Sequence, residues 1–289
     1  MFLRNLGKTA VRVTEIGFGG APLGSLFAVV TEQDAEASLK ASWDSGCRFY
    51  DTAPLYGYGL SERRVGDALR EKPRDQYVLS TKVGRLLRPG MGRDNVADFK
   101  SPMPFHAEFD YSYDATMRSF EDSLQRLGLD RIDVALMHDV GRGWRGDRQP
   151  EMFRKAMDGS VKALMKLKAA GTVGAIGVGL NEADVCEDAL NAADFDCFLL
   201  AGRYTLLEQG ALDSLFPACQ NRNVSIIIGG AFNSGLLARV GQPDATYNYG
   251  AVPPEIAKRA AALHEVCAHH NVPLPAAALQ FPLRHPVVA

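Results

Sequence analysis

The segment Gly17-Phe18-Gly19-Gly20-Ala21-Pro22 decides between two architectures. Glycines clustered after a strand suit a dinucleotide-binding sheet, but that fingerprint needs a third glycine where Pro22 stands, and a helix beginning there. Here the chain runs on as a loop through Gly24 and Phe27. The fingerprint fails, and a closed barrel of parallel strands becomes the architecture to test against the rest of the chain.

Outward from this point the sequence alternates. Apolar runs at 16–20, 49–50, 78–81, 134–137, 175–178, 197–200 and 224–228 read as strands. Segments 31–46, 61–70, 114–127, 151–170, 182–191, 212–221, 254–270 and 275–283 read as helices. Thr31 with Asp34 three residues later is an N-cap signal, and Gly128 and Gly171 are stops. Strands that are apolar throughout are buried on both faces, which predicts a parallel sheet covered by helices. Residues 3–14 read as a hairpin turning at Asn5-Leu6-Gly7-Lys8. Residues 83–112 break the alternation with a long loop rich in Gly, Pro and charge. Such a loop is either a cover for a substrate site or a surface insertion.

Composition sets outer limits. A chain of 289 residues, 46% hydrophobic and 23% charged, is a soluble globular protein of one large barrel or two ordinary domains. No low-complexity linker divides it, so residues 1–289 are expected to form one domain. A formal charge of −2 gives no reason to expect nucleic acid or an anionic membrane as partner. The N-terminus lacks the apolar stretch of a signal peptide, and five cysteines without C-x-x-C or zinc spacing suggest reduced thiols and a cytoplasmic location. His264 and His269 are five residues apart, where a helical zinc motif needs four, so no metal site is expected. The oligomeric state is not legible.

Three strands end in a polar residue: Phe49-Tyr50-Asp51, Val78-Leu79-Ser80-Thr81-Lys82 and Val134-Ala135-Leu136-Met137-His138. Barrel and sheet enzymes carry their chemistry at that carboxyl rim. Tyr56 follows Asp51 in Asp51-Thr52-Ala53-Pro54-Leu55-Tyr56. A phenol is a poor acid or base at neutral pH, but an ammonium about 4 Å away would bring its pKa down by up to ~3 before desolvation opposes it. Asp51 would hold the Lys82 ammonium, and His138 would hydrogen-bond a substrate oxygen. Each residue has a packing alternative: a turn cap for Asp51, a half-buried aromatic for Tyr56, a solvated strand end for Lys82, a structural histidine for His138. All four falling on one rim favours chemistry. Proton transfer at oxygen coupled to hydride transfer at carbon needs this set, with the hydride carried by a cofactor.

Asp51-Thr52-Ala53-x-x-Tyr56-Gly57, Ser80-Thr81-Lys82 and Met137-His138-Asp139 resemble the aldo-keto reductase superfamily. Leu6-Gly7-Lys8, Ile16-Gly17-Phe18-Gly19, Arg126-Leu127-Gly128-Leu129-Asp130, Ile176-Gly177-Val178 and Ser234-Gly235-Leu236-Leu237 add to the resemblance, which runs from Leu3 to the last residue. It implies an (α/β)8 TIM barrel binding NAD or NADP without a Rossmann domain, and Asp51, Tyr56, Lys82 and His138 as a catalytic tetrad. It also implies cofactor contacts at Gly20, Ala21, Asn181, and Ala231, Phe232, Asn233, Ser234, Gly235 and Leu236. The sequence departs from the family at Gly229-Gly230, where many members carry a nicotinamide-stacking tyrosine, and at Ala201-Gly202-Arg203-Tyr204. These replacements resemble the branch of D-threo-aldose (L-fucose) 1-dehydrogenases, L-galactose dehydrogenases and pyridoxal 4-dehydrogenase. Arg203 is then expected at cofactor or substrate, or in a salt bridge across the barrel mouth. Val287-Val288-Ala289 looks like the start of an eighth strand, and the resemblance implies that its βα unit continues beyond Ala289. The activity implied is oxidation of an aldose such as L-fucose to its lactone. Pyridoxal dehydrogenation, general NADPH-dependent aldehyde reduction, and a redox-silent role like that of channel β-subunits are the alternatives.

Overall fold

Parallel pairing between successive strands carries the fold of the computed structural model, which describes residues 1–90 and 99–289. The chain opens with an antiparallel hairpin of β1 (Leu3–Asn5) and β2 (Arg12–Thr14). Strand β3 (Phe18–Gly19), helix α1 (Glu32–Asp44), β4 (Phe49–Asp51), α2 (Leu60–Leu69) and β5 (Val78–Val83) follow. After β5 comes a second antiparallel hairpin, β6 (Arg85–Pro89) with β7 (Phe105–Phe109). The alternation then resumes through α3 (Tyr113–Leu127), β8 (Val134–His138), α4 (Arg142–Arg145), α5 (Gln149–Asp158) and α6 (Ser160–Ala169). It continues with β9 (Ala175–Leu180), α7 (Ala183–Ala192), β10 (Cys197–Ala201), α8 (Leu215–Asn221), β11 (Ser225–Gly229), α9 (Pro254–His269) and α10 (Leu274–Gln280).

Seven strands form one sheet in the order β3-β4-β5-β8-β9-β10-β11, every neighbour parallel. Residues 287–289 occupy the eighth position. Ile226 N donates to Val287 O at 2.8 Å, and Ala289 N donates to Ile226 O at 2.9 Å, continuing the ladder beyond β11. The result is a nearly closed (α/β)8-like barrel, as the failed fingerprint at Pro22 predicts. Strands β8 and β9 are buried at every position, which accounts for their unbroken apolar character. The first hairpin plugs the end where strands begin. Leu6 and Val13 pack with Val134, Ala175 and Cys197, and Gly7 N donates to Ser225 Oγ at 2.7 Å.

Local rules set the helix ends. Thr31 Oγ1 accepts from Asp34 N at 3.1 Å, and Gly128 ends α3 with a left-handed φ of 63°. Two expectations need correction. Residues 83–112 are not a continuous loop: 85–89 and 105–109 pair as strands, while 91–98 lie outside the described residues. The single helix read over 151–170 is broken at Gly159, which lies so close to Tyr111 that a Cβ there would come within 2.4 Å of its carbonyl oxygen. Among the described residues, no helix is long and apolar enough to cross a membrane.

Candidate active site

Three strands deliver their terminal side chains to one point. Asp51 ends β4, Lys82 stands next to last in β5, and His138 ends β8. Lys82 Nζ donates to Asp51 Oδ2 at 2.6 Å and to Thr52 O at 2.9 Å, with the lysine 1% exposed. Tyr56 reaches the same place from the turn after β4, where its N–H donates to Ala53 O at 3.1 Å. The Lys82 ammonium lies 4.8 Å from the centre of the Tyr56 ring. His138 meets that ring edge-on, centroids 5.9 Å apart and planes at 86°. The four residues singled out on the sequence are therefore brought together.

Their electrostatics differ from the sequence expectation in one respect. Burial pushes the Tyr56 phenol up to about 12, outweighing the Lys82 charge that pulls it down. Burial works against the Lys82 ammonium as well, but the Asp51 carboxylate and the phenol beside it more than compensate, so it is held above the usual lysine range. Burial and the nearby charges of Arg85, Lys82 and Arg145 drive His138 well below the ordinary imidazole range. The resting cluster is thus one ion pair beside two neutral hydrogen-bonding groups.

Two adjoining cavities open from it. The smaller, about 270 Å³, is lined by Tyr56, Lys82 and His138 together with Asp139, Trp144 and Tyr249. The larger, about 570 Å³, follows the first, sixth and seventh strand ends and takes in Gly20, Ala21, Asn181, Ala231, Phe232, Asn233, Ser234 and Gly235. Gly20 suits a wall of this kind, since its N–H donates to Asp51 O at 2.7 Å and a Cβ there would meet that oxygen at 2.8 Å. Gly230, Asn233, Ser234 and Gly235 all have left-handed φ, a run that turns backbone amides together as anion-binding loops do. The small residues Ala201, Gly229 and Gly230 keep the groove open, so the residues present fit an extended dinucleotide.

Two expected cofactor contacts stand apart. Leu236 is buried with Leu207, Leu237 and Ile256. Arg203 does not line either cavity, and its Nη1 donates to Gly202 O and to Asn248 Oδ1, both at 3.0 Å. Asn233 is a brace between strand-end loops, accepting from Thr205 Oγ1 at 2.7 Å. Asn181 Nδ2 donates to the Tyr249 hydroxyl at 3.3 Å and to Ala201 O at 3.4 Å. Sequence reasoning did not single out Tyr249, Trp144, Phe27, Asp139 or Arg85. Tyr249 and Phe27 face each other across the cleft, ring centroids 6.2 Å apart, although 222 residues of sequence separate them. Only Asp139, adjacent to His138, carried a local signal.

A parallel barrel with a buried Lys–Asp pair under a tyrosine, a neutral histidine beside it and a groove for an extended dinucleotide defines a class of carbonyl oxidoreductases. The chain belongs to the aldo/keto reductase family, whose model matches residues 15–289. It is 46% identical to pyridoxal 4-dehydrogenase of Microbacterium luteolum over 99% of this chain and 86% of that protein. It is 43% identical to D-threo-aldose 1-dehydrogenase of a Pseudomonas species, over 96% of this chain and 83% of that protein. L-galactose dehydrogenase of Arabidopsis thaliana is 30% identical, over 97% and 80%. Among solved structures, the holo form of aldo-keto reductase AKR11C1 from Bacillus halodurans superposes with a TM-score of 0.75 at 26% identity, covering 100% of this chain and 84% of that one. Family membership makes the protein an NAD(P)-dependent oxidoreductase of carbonyl compounds.

Proposed function

We propose that this protein oxidises a cyclic hemiacetal to its lactone with NAD+ or NADP+, using Asp51, Tyr56, Lys82 and His138 as its catalytic residues within one barrel domain of residues 1–289. The observation that carries this reading is the buried Lys82–Asp51 pair beneath Tyr56, with uncharged His138 at the ring edge, opening into a cavity of about 270 Å³ that suits a single ring. The two relatives above 40% identity support the class: one is named for pyridoxal and one for an aldose, and both compounds form cyclic hemiacetals.

When bound, the nicotinamide supplies the hydride acceptor. The protein supplies the rest. Tyr56 Oη takes the proton of the anomeric hydroxyl as the carbonyl of the lactone forms, and Lys82 lowers the cost of the phenolate that this requires. In the reverse direction the neutral phenol donates that proton. His138 hydrogen-bonds the same oxygen and fixes the carbon that changes oxidation state. Asp51 holds Lys82 charged and in place. Gly20, Ala21, Asn181 and 231–235 line the groove where the dinucleotide would lie, with the amides of 233–235 suited to its pyrophosphate.

The aldoses L-fucose, L-galactose and D-arabinose are the first substrates and pyridoxal the second. The test follows reduced nicotinamide absorbance with each of them, with NAD+ and with NADP+, at alkaline pH. Turnover with an aldose or pyridoxal upholds the reading. No reduction with any of them, together with brisk NADPH-dependent reduction of simple aldehydes, would replace it with a general aldehyde reductase. Absence of all turnover with dinucleotide still bound would leave a redox-silent binding protein.

A further inference from the structure

Two buried arginines sit behind His138, one on the carboxylate of Asp139 and the other on its backbone carbonyl, and the chemistry above uses neither. Arg85 opens β6 and is 1% exposed; Arg145 ends α4 and is 5% exposed. Asp139 follows β8 in a left-handed conformation, φ 52°. Its Oδ2 accepts from Arg85 Nη2 at 2.6 Å and lies 3.5 Å from His138 Nε2, so guanidinium and imidazole face each other across a single atom. Arg145 has no carboxylate of its own among the described residues. Its Nε donates to the Asp139 carbonyl at 3.3 Å, and its guanidinium stacks 3.3 Å from the centre of the Phe109 ring. Phe109 is also 4.6 Å from the Arg85 guanidinium, opposite Arg85 in the hairpin register. Arg85 Nε and Nη1, Arg145 Nη2 and His138 Nδ1 are buried without a hydrogen-bond partner among the described residues.

Anchoring the hairpin to the barrel would explain one arginine paired with Asp139. It does not explain a second buried cation, which adds desolvation cost without a carboxylate of its own among the described residues. The arrangement makes sense if the charge itself matters to His138. The charged and titratable groups around the imidazole are Lys82 and Asp51 from β5 and β4, Tyr56 from the following turn, and Arg85, Asp139 and Arg145. Tyr111 donates from its hydroxyl to His138 O at 2.6 Å, and Tyr249 lies across the cavity. Cations outnumber carboxylates in that set.

We propose that Arg85, backed by Arg145, is a positioning residue for His138: by holding the Asp139 oxygen they share, it denies the imidazole a carboxylate counter-ion and keeps it a neutral ring for the reacting oxygen. This rests on the role given to His138 above. The low proton affinity of the imidazole, caused first by burial and then by Arg85, Lys82 and Arg145, agrees with it. Without Arg85, the Asp139 carboxylate would face His138 directly and draw a proton onto it.

The test is a titration of His138 by NMR in protein labelled at histidine Cε1, the signal being assigned by its loss in His138→Asn. In the unaltered protein burial and the surrounding cations keep His138 neutral well below the ordinary imidazole range. In Arg85→Met the Asp139 oxygen 3.5 Å from Nε2 loses its competing cation, so the ring should take up its proton at a clearly higher pH than in the unaltered protein. Arg85→Gln keeps a donor on Asp139 while removing the charge, and gives the same direction should the Met variant fold poorly. Arg85→Lys, and the paired Arg85→Met/Asp139→Asn, should return a neutral ring. A ring that titrates in folded Arg85→Met or Arg85→Gln as it does in the unaltered protein overturns the proposal. Protonation seen by NMR with no matching move in the acid limb of kcat/KM upholds the hold of Arg85 on the imidazole and overturns the role given to His138 in the reaction.

Discussion

Replacing Lys82 by Met takes from Tyr56 the charge that most favours its ionised form. The ammonium is 4.8 Å from the ring centre. At about 5 Å and an effective dielectric near 20 the two interact by about 3 kcal/mol, equivalent to a change of about 2 in pKa. The phenol already stands at about 12, because burial outweighs Lys82, so the variant carries it further from any working pH. If oxidation depends on the phenolate, its rate in the alkaline range falls by about 100-fold, and the rising limb of kcat/KM moves out by about 2 pH units. The substitution has a second consequence. Among the described residues Asp51 Oδ1 is already buried without a hydrogen-bond partner, and the loss of Lys82 takes the ammonium from Oδ2 as well. A stranded buried charge costs about 3–5 kcal/mol, which urea unfolding would show.

Lys82→Met/Asp51→Asn separates the two effects. The Asp51 carboxylate itself pushes the phenol up, so removing both charges should leave the pH profile nearer that of the unaltered protein than Lys82→Met alone. The assay is kcat/KM against pH from about 7 to 11, with a substrate deuterated at the carbon that loses hydride to establish that chemistry limits the rate. A Lys82→Met profile that superposes on the unaltered one, with a full isotope effect, would refute the coupling between Lys82 and Tyr56.

Tyr56→Phe keeps the ring and removes the hydroxyl; turnover should drop by about 10²–10⁴-fold while dinucleotide affinity, read by fluorescence titration, changes little. Near-normal turnover limited by chemistry would remove Tyr56 from the reaction. Glu62→Ala should lower stability by about 3 kcal/mol, since Glu62 is 0% exposed, accepts from Thr81 Oγ1 at 2.8 Å and pairs with Arg126 Nε at 2.5 Å. A urea midpoint within error of the unaltered protein would show that this tie between α2, β5 and α3 carries no stability.

What could be read in the sequence, and what could not, follows from the range of the interaction involved. Asp51, Lys82 and His138 stood out because each closes an apolar run with a polar residue, and packing is a poor explanation when three such ends fall on one rim. Tyr56 stood out by its distance along one turn. The hairpin of 85–89 with 105–109 was missed because 15 residues join its strands, where hairpin signals depend on loops of two to five. Arg85 in particular was one charge among several in a segment read as a long loop. It is buried because Asp139, 54 residues away in sequence, meets it at 2.6 Å. The direction of the Tyr56 shift was equally hidden. Sequence supplies the lysine that lowers it, but the enclosure that raises it is assembled from β4, β5, β8 and the turn between β4 and α2.

With Tyr56 in the role proposed for it, that enclosure would bear differently on the two directions of reaction. Three cations (Lys82, Arg85 and Arg145) and two carboxylates (Asp51 and Asp139) surround a neutral phenol and a neutral imidazole. Negative charge developing on a substrate oxygen would meet an excess of positive charge that is fixed before the substrate arrives, so little reorganisation accompanies the reaction. A carbonyl awaiting reduction finds the phenol already protonated at neutral pH. In the proposed oxidation of an alcohol or hemiacetal that proton would have to leave first, and Lys82 offsets only part of what burial adds to the cost of the phenolate. Reduction should therefore be nearly flat from about pH 6 to 8, whereas oxidation should climb towards the alkaline end, limited by the stability of the barrel.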